Sequence, residues 1–291
     1  MKTRSQMTLR RNLLVGGCVL LATIISLLVF RSSNTLSYEG KSISQWLAWF
    51  DSPSGLSQAQ WQERFQRRSD ATVALRQMGP EVYPYFRRML RPDSKMTRLL
   101  HQSTTELKRE LIPARSLVVP PSPEEARMLM AVEACSYLGR DAQAMIPDLL
   151  LVLKSNSHAN VRARAAYALG AIGGAPEAVV PALVQSLSDP VDCNILISLG
   201  KYGADAAPAV PHIVALLDGI EASVNAHQRF DRNLLCEAAR ALHQIAPLQA
   251  EKILPLLRQV VQEEQDPFWQ SRLGKVVNAI NSGTSPNGQA N

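Results

Sequence analysis

Aromatic residues make up only 5% of this 291-residue chain, and it has four cysteines. So few cysteines exclude a disulfide-stapled fold, and none are spaced as C-x-x-C, the pattern of redox and zinc motifs. The five histidines, His101, His158, His212, His227 and His243, form no H-E-x-x-H or other paired ligand spacing. There is no G-x-S-x-G nucleophile elbow. Strand patterning is also lacking: the apolar residues are mainly Ala and Leu, whereas β-rich chains favour Val, Ile, Thr and aromatics. Hydrophobic residues at 46% and charged residues at 19% exclude a largely disordered chain. An all-α globular body is the class left standing.

Charge is distributed unevenly. The net charge is +6, yet residues 62–115 hold twelve basic and six acidic groups, while residues 116–291 hold thirteen and seventeen. Residues 1–31 carry five basic groups and no acidic one. Within them, Leu13 to Phe30 is an uncharged apolar run of 18 residues. At 1.5 Å rise per residue it reaches ~27 Å, close to the ~30 Å hydrocarbon core of a bilayer. Lys2, Arg4, Arg10 and Arg11 precede the run and Arg31 alone follows closely, so the positive-inside rule places residues 1–12 in the cytoplasm and the bulk outside. Two rivals stand beside an uncleaved anchor. A cleaved signal peptide needs small residues at its cleavage site, whereas Phe30-Arg31-Ser32-Ser33 is bulky and charged there. A lipid-modified Cys18 would end its apolar segment, but here most of the run follows it.

The body repeats. Ala134-Cys-Ser-Tyr-Leu-Gly139, Ala168-Leu-Gly-Ala-Ile-Gly173 and Ser198-Leu-Gly-Lys-Tyr-Gly203 align, with looser copies at Ala74–Gly79 and Ala241–Ala246. Pro84, Pro147, Pro181, Pro211 and Pro255 each open a following apolar run, the last four spaced by 34, 30 and 44 residues. Glycine past a helix end and proline in a first turn read as helix, stop, loop, helix. Offsets two and six from each proline are apolar: Phe86 and Leu90, Leu149 and Leu153, Leu183 and Leu187, Ile213 and Leu217, Leu257 and Val261. They draw one buried stripe per second helix. A two-helix unit of this size cannot bury that stripe alone, so units stack.

This pattern, best seen in Asn160-Val-Arg-Ala-Arg-Ala-Ala-Tyr-Ala-Leu-Gly170, resembles the bacterial HEAT-like repeats found in phycobilin-lyase-type proteins. The resemblance covers residues 70–91 and 124–281, and the fifth unit departs from it with Ala246 in the glycine position. Tyr38, Gly40, Lys41, Ser44, Trp46 and Leu47 are similar to a short lead-in motif of membrane-anchored bacterial HEAT proteins. The resemblance implies an α-solenoid of about five HEAT-like hairpins that binds or scaffolds proteins, with no catalytic residue, cofactor or metal. It also implies that second helices line the concave side. Positions one, four and seven after the prolines then nominate Tyr85, Arg88, Arg91, Asp148, Leu151, Lys154, Ala182, Gln185, Ser188, His212, Ala215, Asp218, Gln259 and Gln262 as partner contacts.

The organisation expected is a cytoplasmic tail 1–12, a transmembrane anchor 13–30 and a juxtamembrane tether 31–43. A helical cap with the first unit follows at 44–91, then a basic helix and Pro-rich insertion at 92–123, repeats at 124–281 and a tail at 282–291. Together these describe a single-pass protein of a bacterial cytoplasmic membrane with its bulk on the periplasmic side. Its expected partner is a protein, acidic where it meets the basic half, and no nucleic acid is expected. The other class is a HEAT-like enzyme, of lyase type or, with the body in the cytoplasm, a DNA-repair glycosylase.

Several local features have plain readings. Cys135, Cys193 and Cys236 are small core residues of first helices, because equivalent positions on stacked helices lie ~8–10 Å apart and a disulfide needs Cα atoms within ~7 Å. Gly170-Ala-Ile-Gly173 and Gly200-Lys-Tyr-Gly203 are helix stops, since no strand is visible to support a nucleotide loop. Trp46, Trp49, Phe50 and Trp61 lie close together in sequence; Trp46, Leu47 and Phe50 are read as the apolar face of a capping helix, with an interfacial membrane belt of the four aromatics as the other reading.

Overall fold

The computed structural model describes residues 36–51, 57–93, 122–187 and 191–283. The Leu13–Phe30 run, residues 94–121 with the expected basic helix, and the end of the tail lie outside them. Helices dominate what is described. A hairpin of two short strands, β1 (Ser37–Tyr38) and β2 (Lys41–Ser42), leads into helix α1 (Ile43–Leu47). This hairpin was not expected from sequence. Its turn residues Glu39 and Gly40 both have positive φ, 50° and 73°, so only the glycine marks it and the strands are too short for alternation.

Five two-helix units follow. They are α2 (Gln58–Met78) with α3 (Tyr83–Leu90), α4 (Pro123–Leu138) with α5 (Ile146–Ser155), and α6 (Ala159–Ile172) with α7 (Pro176–Gln185). Next come α8 (Cys193–Tyr202) with α9 (Val210–Asn225), then α10 (Arg232–Ile245) with the short α11 (Pro247–Ala250) and α12 (Leu254–Glu263). A closing helix, α13 (Pro267–Ser282), ends the described chain. Gly79, Gly139, Gly173 and Gly203, the expected stops, all have φ between 54° and 65°. A side-chain-bearing residue enters that region only with strain, so the glycines end the helices and turn the chain. Ala246 has φ −142°, and there the chain turns instead through α11. Helix starts are capped by Ser57, Ser122, Asp192, Asp231 and Asp266, whose side chains accept backbone N–H bonds.

One start differs from the proline pattern. Pro181 lies inside α7, because the turn before it is already helical from Pro176; its ring costs the helix one bond, to the Glu177 carbonyl near the helix start. The 44-residue spacing between Pro211 and Pro255 comes from a long α9 and the loop after it.

The first helices α4, α6, α8 and α10 pack in succession, and α13 closes on α10 and α12. Their shared faces are small: Ala165, Ala166, Ala168 and Gly170 on α6 are buried, as are Ser198 and Gly200 on α8. A Cβ on Gly170 would lie 2.7 Å from the Ser198 Cα, so glycine sets how closely α6 and α8 approach. Among the described residues one stretch, Cys193–Asn225, is long and apolar enough to cross a membrane. It is two helices broken by Gly203, with Leu196, Leu199, Ile213 and Leu217 buried in the core, and it belongs to the repeat stack.

Candidate partner-binding face

The second helices place the nominated residues one helix after another. On α3, Tyr85 is half-buried and Arg88 is exposed, with exposed Arg91 just beyond the helix end. On α5, Lys154 is exposed, and so is Leu151 at 65%. Gln185 ends α7 exposed, but Ala182 on the same helix is buried and faces the core rather than a partner, and Ser188 lies outside the described residues; His212, Ala215 and Asp218 are exposed on α9. Gln259 on α12 is half-buried and its amide donates to Glu263 at 3.1 Å.

Asp148 is already engaged. Arg87 reaches from α3, donating to its carboxylate at 2.9 Å and to the Ala144 carbonyl at 3.2 Å. That contact seats α3 beside α5 and leaves Arg88 and Arg91 as cations with no ion pair among the described residues. No sequence signal marks the Arg87–Asp148 pair, since its members are 61 positions apart.

Titratable groups gather elsewhere, at junctions between units. Arg68, 7% exposed, donates to the carbonyls of Trp49 and Asp51 at 3.0 Å each and lies 3.6 Å from Glu133 on α4. Buried Glu237 on α10 accepts from Arg272 of α13 at 2.5 Å. Arg232 pairs with Glu264 across the fifth unit. The Tyr202 hydroxyl donates back to the previous unit, with the Gly174 and Leu169 carbonyls at 2.9 and 3.2 Å. His158 sits between Glu124 and Glu125, 3.9 and 3.6 Å away, at the start of α6. The Arg232–Glu264 pair lies within the fifth unit, and each of the others ties one unit to its neighbour.

The described thiols are free and unactivated. Burial raises Cys135 and Cys236, and burial, with Asp231 nearby, pushes Cys193 up to about 11. Burial of the Lys201 ammonium, stacked on Tyr167 at 4.1 Å, lowers its pKa. No group of three or more His, Cys, Asp and Glu among the described residues is arranged to hold a metal. Two shallow openings occur. One of about 390 Å³ is lined by Gln58, Trp61, Gln62, Phe65 and Arg68, and one of about 350 Å³ lies where α2 and α3 meet α4, lined by residues such as Tyr83 and Asp141.

A family model described as the PBS lyase HEAT-like repeat matches residues 161–189, which hold most of α6 and all of α7. The third unit is therefore similar to that repeat, and the match supports reading the chain as a HEAT-repeat protein. No curated protein and no solved structure matches the chain.

Proposed function

We propose that this protein is a membrane-tethered scaffold, an α-solenoid of about five HEAT-like units that binds another protein along the face of its second helices. The observation that supports it is the run of exposed, chemically varied side chains on successive second helices: Arg88, then Lys154 and Leu151, then Gln185, then His212 and Asp218. Buried charges, by contrast, are spent on joining units, as Arg68 and Glu237 are. A stacked array offers such a face as one extended surface, which suits an elongated partner. The tether rests on the Leu13–Phe30 run and the four basic residues before it, which put the body on the far side of a bacterial cytoplasmic membrane.

Photo-crosslinking groups placed one at a time at Arg88, Lys154, Gln185 and His212 of the full chain, in its own membranes, test the reading. Capture of one common protein from several of these positions is expected. Capture no greater than from exposed Gln66 on the first helix α2 would overturn it. Reporter fusions after Phe30 test the topology: activity only for cytoplasm-specific reporters would reverse the assigned orientation.

A further inference from the structure

The four aromatics near the expected anchor separate in the structure. Trp46 and Phe50 are buried, and Trp49 lies under the guanidinium groups of Arg64 and Arg67 at 5.9 and 5.4 Å. Trp61 is 42% exposed, and Phe65, one turn further along α2, is 67% exposed. These two are not scattered surface residues. Positions 61, 65, 68, 72 and 75 fall four and three apart, which is one stripe of a helix. The C-terminal part of that stripe, Arg68, Thr72 and Leu75, is buried. Its N-terminal part, Trp61 and Phe65, lines the open groove with Gln58 and Gln62. The core-facing stripe of α2 thus runs on past the part that is buried.

We infer that this aromatic end of α2 lies in the headgroup layer of an anionic bilayer, the membrane that holds the Leu13–Phe30 run. The inference rests on the tether proposed above. Two observations select lipid as the occupant. Only residues 31–35 separate Phe30 from Leu36, whose carbonyl accepts from the Ile43 amide at 2.9 Å to fix the hairpin. Six residue steps span at most ~20 Å, less than the ~32 Å length of α2, on which the hairpin packs. The first unit is therefore held at the headgroups and the distal units are not. The charge also fits: residues 57–93 hold seven arginines against four carboxylates, with Arg64 and Arg67 on the same stretch of α2 as the aromatic pair. Indole at headgroup depth beside arginine is the side-chain chemistry of a membrane interface, and an anionic leaflet draws such a cluster to it. Trp46, the other tryptophan nearby with a large ring in the core, is unavailable to lipid.

The full chain reconstituted in phosphatidylethanolamine–phosphatidylglycerol vesicles tests this, with bromine on the upper acyl chains as a short-range quencher of tryptophan. Brominated vesicles are expected to quench wild-type emission, Trp61→Phe to remove most of that quenching, and Phe65→Trp in the Trp61→Phe background to restore it. Both positions are exposed, so neither change disturbs the core. If the chain floats with the vesicles but Trp61→Phe is quenched as wild type is, the inference is overturned while the tether stands. If the chain does not float, the tether fails and the inference with it. If Trp61 is shielded from bromine and from aqueous iodide alike in native membranes, a protein covers this face and the lipid assignment falls.

Discussion

Arg68 illustrates how a single charged residue holds the N-terminal end together. Its guanidinium is nearly enclosed, with 9% of the side chain exposed, and it satisfies carbonyls of the segment after α1 while facing Glu133 on α4. Removing one member of an enclosed charged network leaves its partners desolvated and unpaired, so Arg68→Ala should cost ~2–4 kcal/mol of unfolding free energy. Arg76 looks similar in a contact map, 2.7 Å from Asp141, but both side chains are about half exposed. Screening by solvent should keep Arg76→Ala within ~1 kcal/mol. Urea denaturation of the two variants compares them directly. The thiols give a pH prediction. Cys193 titrates near 11 in the fold, above the ordinary thiol value of 9.0, so the fold favours the protonated form. Its contribution to stability is complete below pH 9 and is lost as pH rises through 9 to 11. The urea midpoint of the wild type should fall over that window, and less so in Cys193→Ala. A midpoint equally pH-sensitive in both proteins would show that the thiol is not responsible.

At the level of helices, the seam between α6 and α8 is set by backbone approach. A methyl group at Gly170 would meet Ser198, whose hydroxyl donates to the Ala166 carbonyl at 2.8 Å across the same seam. Gly170→Ala should therefore separate the two helices and destabilise by ~1–3 kcal/mol, as overpacking does. Gly219 in α9 has open space where its Cβ would stand and no positive φ. Gly219→Ala should stabilise by ~0.5–1 kcal/mol, because alanine loses less backbone freedom in a helix. Melting temperatures moving in opposite directions are the expected result. Repeat spacing reads Gly170 as part of the Gly170–Gly173 helix stop and leaves Gly219 unremarked; in the structure Gly170 lies inside α6 facing a neighbouring helix, and Gly219 faces open space.

For the whole molecule, stacking without closure leaves two ends to protect. At the N-terminal end α1 packs Ile43, Trp46 and Leu47 into the core. At the other, α13 buries Leu273, Val276 and Ile280 and turns Lys275, Asn278 and Asn281 outward. Stack ends need such polar outer faces to stay soluble. A chain ending after Glu264 should expose Leu235, Leu242 and Leu257, lose the Arg272–Glu237 pair, and sediment as aggregates; a soluble monomer with unchanged melting temperature would refute the capping role. Charge also divides the molecule by end. Among the described residues, 57–93 hold seven arginines against four carboxylates, while 122–187 and 191–283 together hold thirteen basic groups against sixteen acidic, so the first unit is basic and the later units are mildly acidic.

Much of this was legible before any coordinates. The helical class, the unit boundaries at Gly79, Gly139, Gly173 and Gly203, and the buried stripe from Phe86 to Leu257 follow from local rules, because periodicity, glycine stops and proline starts act within a few residues. The candidate face was half legible. Its positions, exposed Leu151 among them, can be counted from the prolines, but that Asp148 is taken by Arg87 and that Ala182 is buried depends on how neighbouring helices seat. Tertiary structure alone decided that Trp61 and Phe65 stay exposed while the same stripe of α2 is buried from Arg68 onward, and that Arg68 and Glu237 are enclosed. Those outcomes depend on which helix happens to cover a given stretch of stripe, and that is settled by contacts between residues dozens of positions apart.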